Sequence, residues 1–230
     1  ATKGWIPISD DAVTDAPVAP PTQKAIFGYG YTGSVSSLTN LVSSSGVIAA
    51  DVTGVGTPRR MLAAATYGGD KAIFGFGGIV SSKVAMTNLV SNSGVVAADV
   101  TGVGTARRGL GAASYGSDKV IFGYGNTGSS SSLSNLVSSS GVVSVDVTGV
   151  GTARHDLAAT GYGTDKAIFG YGETSGVVSM TNLVSSLGVV AADVTGVGTA
   201  RTALAATAYG GDKALFGYGN TGSTLSMTNL

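Results

Sequence analysis

Residues 24–33 read KAIFGYGYTG, an apolar run opening into Gly-x-Gly-x-x-Gly, the pattern of a strand feeding a phosphate-binding loop. That reading needs a helix after the glycines, because the phosphate is held by the amide groups of a helix N-terminus. The glycines lead instead into VSSLTNLVSSSG, residues 35–46, which is rich in β-branched and turn residues and has no helical period. They therefore mark a strand end and a tight turn, and no nucleotide site is expected. The pattern recurs as GYGNTG at Gly123 and Gly217, while two further copies depart from it.

The stretch is one copy of a repeat, which outranks any single motif as a guide to architecture. Copies begin at Lys24, Lys71, Lys119, Lys166 and Lys213, at spacings of 47, 48, 47 and 47 residues. A second marker, TGVGTxR, ends at Arg59, Arg107, Arg154 and Arg201, and Asn-Leu recurs at Asn40, Asn88, Asn135, Asn182 and Asn229. The chain thus divides into an N-terminal segment, 1–23, and a repeat region, 24–230. After Arg107 one unit reads as four short strands: GLGAASYG (109–116), KVIFGYG (119–125), SSLSNLVSSSG (131–141) and VVSVDVTGV (142–150). Gly, Val, Ser and Thr crowd every window, and no segment has a capped helical pattern, so the fold class is all-β.

Four-stranded units of this length predict the blades of a β-propeller, in which both faces of a middle strand are buried and an Ala-rich first strand suits the crowded axis. An open solenoid is the alternative, since a repeat does not say whether the array closes. The first unit lacks its inner strand and the last its outer one. GWIPIS and APVAPPTQ in 1–23 are candidates to supply them, closing a five-bladed ring.

The order Arg-x-x-small, Asp-Lys-apolar-Phe-Gly-Tyr-Gly, variable loop, Asn-Leu-Val and closing strand resembles kelch-type repeats over nearly all of 24–230. These copies have Gly-Tyr-Gly in place of Gly-Gly and no tryptophan after the third strand. The near-identical FGYG…TNLVSSSGVVAADVTGVGTAR style is similar to repeats of environmental bacteriophage proteins. The resemblance implies a kelch-like propeller on a phage tail, fibre or other surface appendage, hence a virion-surface or extracellular location.

Composition narrows the partners. Thirteen basic residues balance thirteen acidic ones, so no surplus charge points to nucleic acid or an anionic membrane. Cysteine is absent, which excludes a thiol nucleophile and a cysteine metal site. No apolar run approaches the ~20 residues of a membrane-spanning helix. The start ATKGW, without initiator Met or signal peptide, is expected of a processed chain or a piece of a longer one.

The aspartates and arginines of the second marker stand eight apart, as Asp51/Arg59, Asp99/Arg107, Asp146/Arg154 and Asp193/Arg201. Repetition in every unit makes them structural pairs that pin a loop or join blades. His155, the single histidine, stands where other copies have Arg60, Arg108 and Thr202, and Asp156 is next to it. Neighbours on a strand point to opposite faces, so no Ser-His-Asp set is expected. Glu173 is the single glutamate, which excludes a Glu/Glu glycosidase pair. Asp10, Asp11 and Asp15 lack the spacing of a calcium loop. Neither enzyme activity nor a cofactor or metal is expected.

Variation between copies falls in the loop after Phe-Gly-Tyr-Gly, with Tyr31, Lys83, Asn126, Glu173 and Asn220 as candidate ligand-binding residues. Loops on a rigid scaffold are where binding residues concentrate, and an aromatic ring with amides suits a sugar. The expected function is a non-enzymatic binding or structural module engaging a host surface glycan or a neighbouring protein. A stand-alone lectin-like adhesin and, last, a propeller hydrolase are the alternatives. A homo-oligomer is compatible with either binding role.

Overall fold

A computed structural model describes residues 25–230; the closing strands expected in 1–23 lie outside the described residues. Among the described residues all regular structure is β, in five small antiparallel sheets, one per repeat. Unit 1 pairs β1 (Ala25–Tyr31) with β2 (Val35–Val42). Unit 2 orders β3 (Ala63–Tyr67), β4 (Lys71–Gly75) and β5 (Thr87–Val90). Units 3, 4 and 5 repeat it with β6 (Gly111–Tyr115), β7 (Lys119–Asn126), β8 (Ser130–Val137); β9 (Ala158–Tyr162), β10 (Lys166–Gly170), β11 (Thr181–Val184); and β12 (Ala205–Tyr209), β13 (Lys213–Gly217), β14 (Thr228–Asn229).

The fourth strand expected in each unit is not a regular strand in units 1 to 4. The outer segment meets its neighbour at two bridges only, as Val137↔Val143 and Ser134↔Val147 in unit 3. Three steps on one side face four on the other, so the outer segment carries an extra residue and the ladder breaks. The Asn135 amide fills the break, donating to the Ser144 carbonyl at 3.0 Å.

Phe27 and Tyr29 are two apart and would share a face of an ideal strand. They do not, because the ladder shifts register between Gly28 and Gly30 and Tyr29 takes φ 63°. Phe76, Tyr124, Tyr171 and Tyr218 take the same conformation. The bulge therefore sends the Phe of each unit toward the preceding unit and the aromatic two residues on toward the next one. Phe74, Phe122 and Phe169 each meet that aromatic of the preceding unit edge-on at 5.2 Å, and Phe216 meets Tyr171 at 5.4 Å. Each ring lies on the first glycine of the preceding Gly-x-Gly, which is why that position has no side chain: a Cβ on Gly123 would stand 2.6 Å from Phe169.

The small-residue strands β3, β6, β9 and β12 run side by side, and backbone bonds stitch each junction. Between units 2 and 3 these are Gly109 N–H to Met61 O at 2.8 Å, Gly77 N–H to Arg107 O at 2.9 Å and Gly68 N–H to Asp118 O at 2.7 Å. The core is accordingly a series of clusters, each shared by two consecutive units. At the two ends of the series, among the described residues, Phe27 is 61% and Tyr218 63% exposed.

Gly123→Ala should overpack the junction of units 3 and 4 and cost about 1–3 kcal/mol in urea unfolding. Gly217→Ala, whose Cβ would meet only Thr228 at 3.4 Å, should stay within about 0.5 kcal/mol of the parent. Equal costs would show that the close approach of Phe to Gly is not what the glycine serves.

Candidate functional site

Four arginines, Arg59, Arg107, Arg154 and Arg201, are fully buried, so every donor needs a partner. Arg107 shows how this is met. Nε donates to Tyr124 O at 2.8 Å, Nη1 to Thr105 O at 3.1 Å and Nη2 to Asn135 Oδ1 at 2.6 Å. Its guanidinium lies 4.2 Å over the Phe76 ring of the preceding unit, and the same stacking puts Arg59 over Tyr29, Arg154 over Tyr124 and Arg201 over Tyr171.

The carboxylate partner is not the aspartate eight residues earlier. Arg59 faces Asp99 at 3.8 Å, Arg107 faces Asp146 at 3.7 Å and Arg154 faces Asp193 at 3.9 Å. The reason is topological: each arginine leads into the inner strand of its own sheet, and the aspartate of that sheet lies on the outer segment about forty residues on. Thr and Asn complete the bond set, Thr105 donating from N and Oγ1 to Asp146 at 2.9 and 2.6 Å and Asn135 Nδ2 at 2.9 Å. Asp51, in a unit whose arginine position precedes the described residues, accepts from Asn40 at 2.8 Å. Arg201 has no carboxylate partner among the described residues. A Cβ on Gly104 (φ 83°) would run into Asp146 and Asn135, so the second glycine of TGVG makes room for the carboxylate.

Burial pulls the Arg107 guanidinium down to about 10 against the raising effect of Asp146, and it stays charged at neutral pH. Burial pushes Asp99, Asp146 and Asp193 up, but the Thr and Asn hydrogen bonds and the arginine charge outweigh it and hold all three below the usual carboxylate value. Burial also pushes Tyr124 up to about 12, and its neutral hydroxyl donates to Val150 O at 3.1 Å. This network is framework.

The variable residues gather at the other feature of each unit, the turn beyond the bulge. The residue after Gly-x-Gly bridges the residue after the buried arginine: Gly78 with Arg60, Asn126 with Arg108, Glu173 with His155 and Asn220 with Thr202. Tyr31 occupies the same position at the end of β1. In unit 2 that position is Gly78, and Lys83 is its cross-strand partner on the returning side. Unit 2 has a four-residue turn, 79–82, where the others have three, which accounts for the single spacing of 48.

Side chains at these positions meet across unit boundaries. The Arg60 guanidinium lies 4.7 Å over the half-exposed Tyr31 ring. The Ser130 hydroxyl and His155 Nδ1 are 3.1 Å apart. Asn126 and Asn220 Oδ1 accept from Gly128 and Gly222 N–H at 3.0 and 2.6 Å.

His155 and Asp156 do not point to opposite faces as an ideal strand would have them. Asp156 has φ 50°, which breaks the alternation and leaves Oδ2 3.9 Å from His155 Nε2. That gap exceeds hydrogen-bond reach, so the acid does not orient the ring as a Ser-His-Asp set requires. Burial, ahead of the lowering effect of His155, raises the Asp156 carboxyl. Sequence reading missed this cluster because it depends on a left-handed Asp156, and the signal that could have found it was Gly109 at the same position of unit 3, also at positive φ (61°).

No protein-family model matches the chain, and no curated protein is significantly similar to it.

Because their folded pKa values are depressed, the three aspartates stabilise the fold above the unfolded value of about 3.9, and this is lost as pH falls through the folded value. Asp146→Asn should flatten the decline of the urea midpoint below about pH 5. An unchanged acid slope would show that the Thr105–Asn135–Arg107 cradle does not act on this carboxylate.

Proposed function

We propose that the chain is a non-enzymatic binding or structural module: five kelch-like propeller blades on a phage tail, fibre or comparable surface appendage, engaging a host glycan or partner protein through the turn end. The observation that carries this reading is the division between a repeated framework and variable turns. Arg, Asn, Asp, Phe and Gly recur at the positions that build each unit and junction. Variation gathers in the cross-strand pairs beyond the bulge, where Tyr31, Arg60, Arg108, Asn126, His155, Glu173 and Asn220 stand.

The chemistry offered there is that of sugar recognition. The Tyr31 face opposite the one that Arg60 covers can stack on a pyranose ring, and the Asn126 and Asn220 amides can bond its hydroxyls. Repeated weak sites on one rigid support favour a multivalent ligand, where avidity multiplies modest affinities.

A glycan array probed with the chain and with a Tyr31→Ala, Asn126→Ala, Asn220→Ala variant tests the reading. Binding that falls by about tenfold or more in the variant supports glycan recognition through the turn end. Binding that persists unchanged places the site elsewhere, and no binding across the array removes the glycan and leaves a partner protein as the ligand.

A further inference from the structure

Three departures from the repeat meet at the turn end of the boundary between units 3 and 4. The single histidine and the single glutamate of the chain are cross-strand partners there, His155 with Glu173. Asp156, the next residue, stands where the other units have Met61, Gly109 and Ala203, all four with left-handed backbone. The neighbouring unit is shaped to receive it: a Cβ on Gly109 would run into Asp156 Oδ1. A departure in unit 3 thus fits a departure in unit 4, and both units lie inside the array with a unit on either side.

The Asp156 backbone is fully engaged. Its N–H donates to Gly109 O at 2.7 Å, and its carbonyl accepts from Ala203 N–H at 2.9 Å and Thr202 Oγ1 at 3.1 Å. Its carboxylate is held by no hydrogen-bond donor among the described residues, although burying a charge calls for one. Arg108 and Glu173 stand near enough to act on it through their charge, but neither bonds to it. Arg108, His155, Asp156 and Glu173 are all half-buried, so the group is sheltered yet within reach of solvent.

The imidazole beside this carboxylate is fixed from its far side. The Ser130 hydroxyl lies 3.1 Å from Nδ1; with that hydroxyl donating, Nδ1 is the acceptor and Nε2 carries the proton. A donor, Nε2–H, then faces an acceptor, Asp156 Oδ2, across 3.9 Å. That separation is too long for a direct bond, and it is the span that one hydroxyl oxygen bridges at about 2.8 Å from each. An ammonium group cannot accept from Nε2–H, and a carboxylate or phosphate cannot donate to Oδ2. The gap therefore selects a group that does both.

We propose that this boundary is a hydroxyl-binding site for a neutral sugar. One ligand hydroxyl occupies the gap, accepting from His155 Nε2–H and donating to Asp156 Oδ2, and Glu173 and Arg108 serve the hydroxyls beside it. Gly109 is a positioning residue, since its bare backbone is what lets the carboxylate lie where the hydroxyl needs it. The site rests on the glycan reading above and deepens it, by placing the principal subsite between units 3 and 4 rather than at Tyr31.

The single histidine makes the test direct, because isotope-labelled histidine gives one imidazole to observe. Long-range proton–nitrogen spectra of the full chain are followed while the methyl glycosides of glucose, mannose and galactose are added in turn. The expected result is an Nε2-protonated ring whose Nε2 resonance shifts saturably with at least one of the three. Asp156→Ala introduces the residue that unit 5 carries at the same backbone angle, so it keeps the fold. It should weaken that binding at least tenfold, whereas Tyr31→Ala should leave it unchanged. An Nδ1-protonated ring, a shift that saturates with none of the sugars, as a bridging water alone would give, or binding undiminished in Asp156→Ala overturns the assignment. Glycan-array binding with unmoved His155 signals would sink this site alone, and the absence of both would remove the glycan reading with it.

Discussion

Each junction in this protein rests on an aromatic ring laid against a glycine. The Phe of one unit can reach the backbone of the unit before it only because no Cβ intervenes, and it is then gripped edge-on by the aromatic next to that glycine. Burying such a ring contributes about 1.5–3 kcal/mol, and the edge contact about 0.5–1.5 more. The cost is a non-glycine residue held at positive φ in every unit, of order 1–3 kcal/mol each. The bulge that imposes it is also what turns two aromatics of one strand to opposite faces, so strain and packing are one device.

The buried arginine depends on that device. Its stacking partner is the bulged aromatic of the preceding unit, and its Nε acceptor is the carbonyl of the bulged residue in its own. At Arg59 and Arg107 every guanidinium nitrogen has an acceptor, as a charge so enclosed requires, whereas Nη2 of Arg154 and Nε of Arg201 have none among the described residues. Threonine, asparagine and aspartate from three parts of one sheet converge on the guanidinium, which ties the inner strand, the third strand and the outer segment together. The outer segment, held by few ladder bonds, owes its place to this cluster and to the valine it lays over the neighbouring unit.

Much of this was legible in the chain. The spacing of the Lys-led runs set the units, and the absence of any helix after Gly28-Tyr29-Gly30 correctly turned a nucleotide motif into a strand feature. The relations that escaped are those that a one-dimensional pattern does not encode. Asp99 stands eight residues before Arg107 yet serves Arg59, because partners are chosen by the sheet. Asp156 reads as an ordinary strand neighbour of His155, and only its left-handed backbone swings the carboxyl to the same side. Lys83 looked like the variable residue of unit 2, but the extra turn residue there gives that position to Gly78. The outer segment reads as a strand on composition, and its bulge emerges only when residues between bridges are counted.

If stability is carried by pairwise junctions, protection should be graded along the array, since each unit contacts only its neighbours. Native-state hydrogen exchange monitored by mass spectrometry measures this directly. Amides of β7 and β10, flanked by units on both sides, should exchange slowest, and those of β1 and β13 fastest. Uniform protection across all five units would contradict the account and mean that stability is not carried junction by junction.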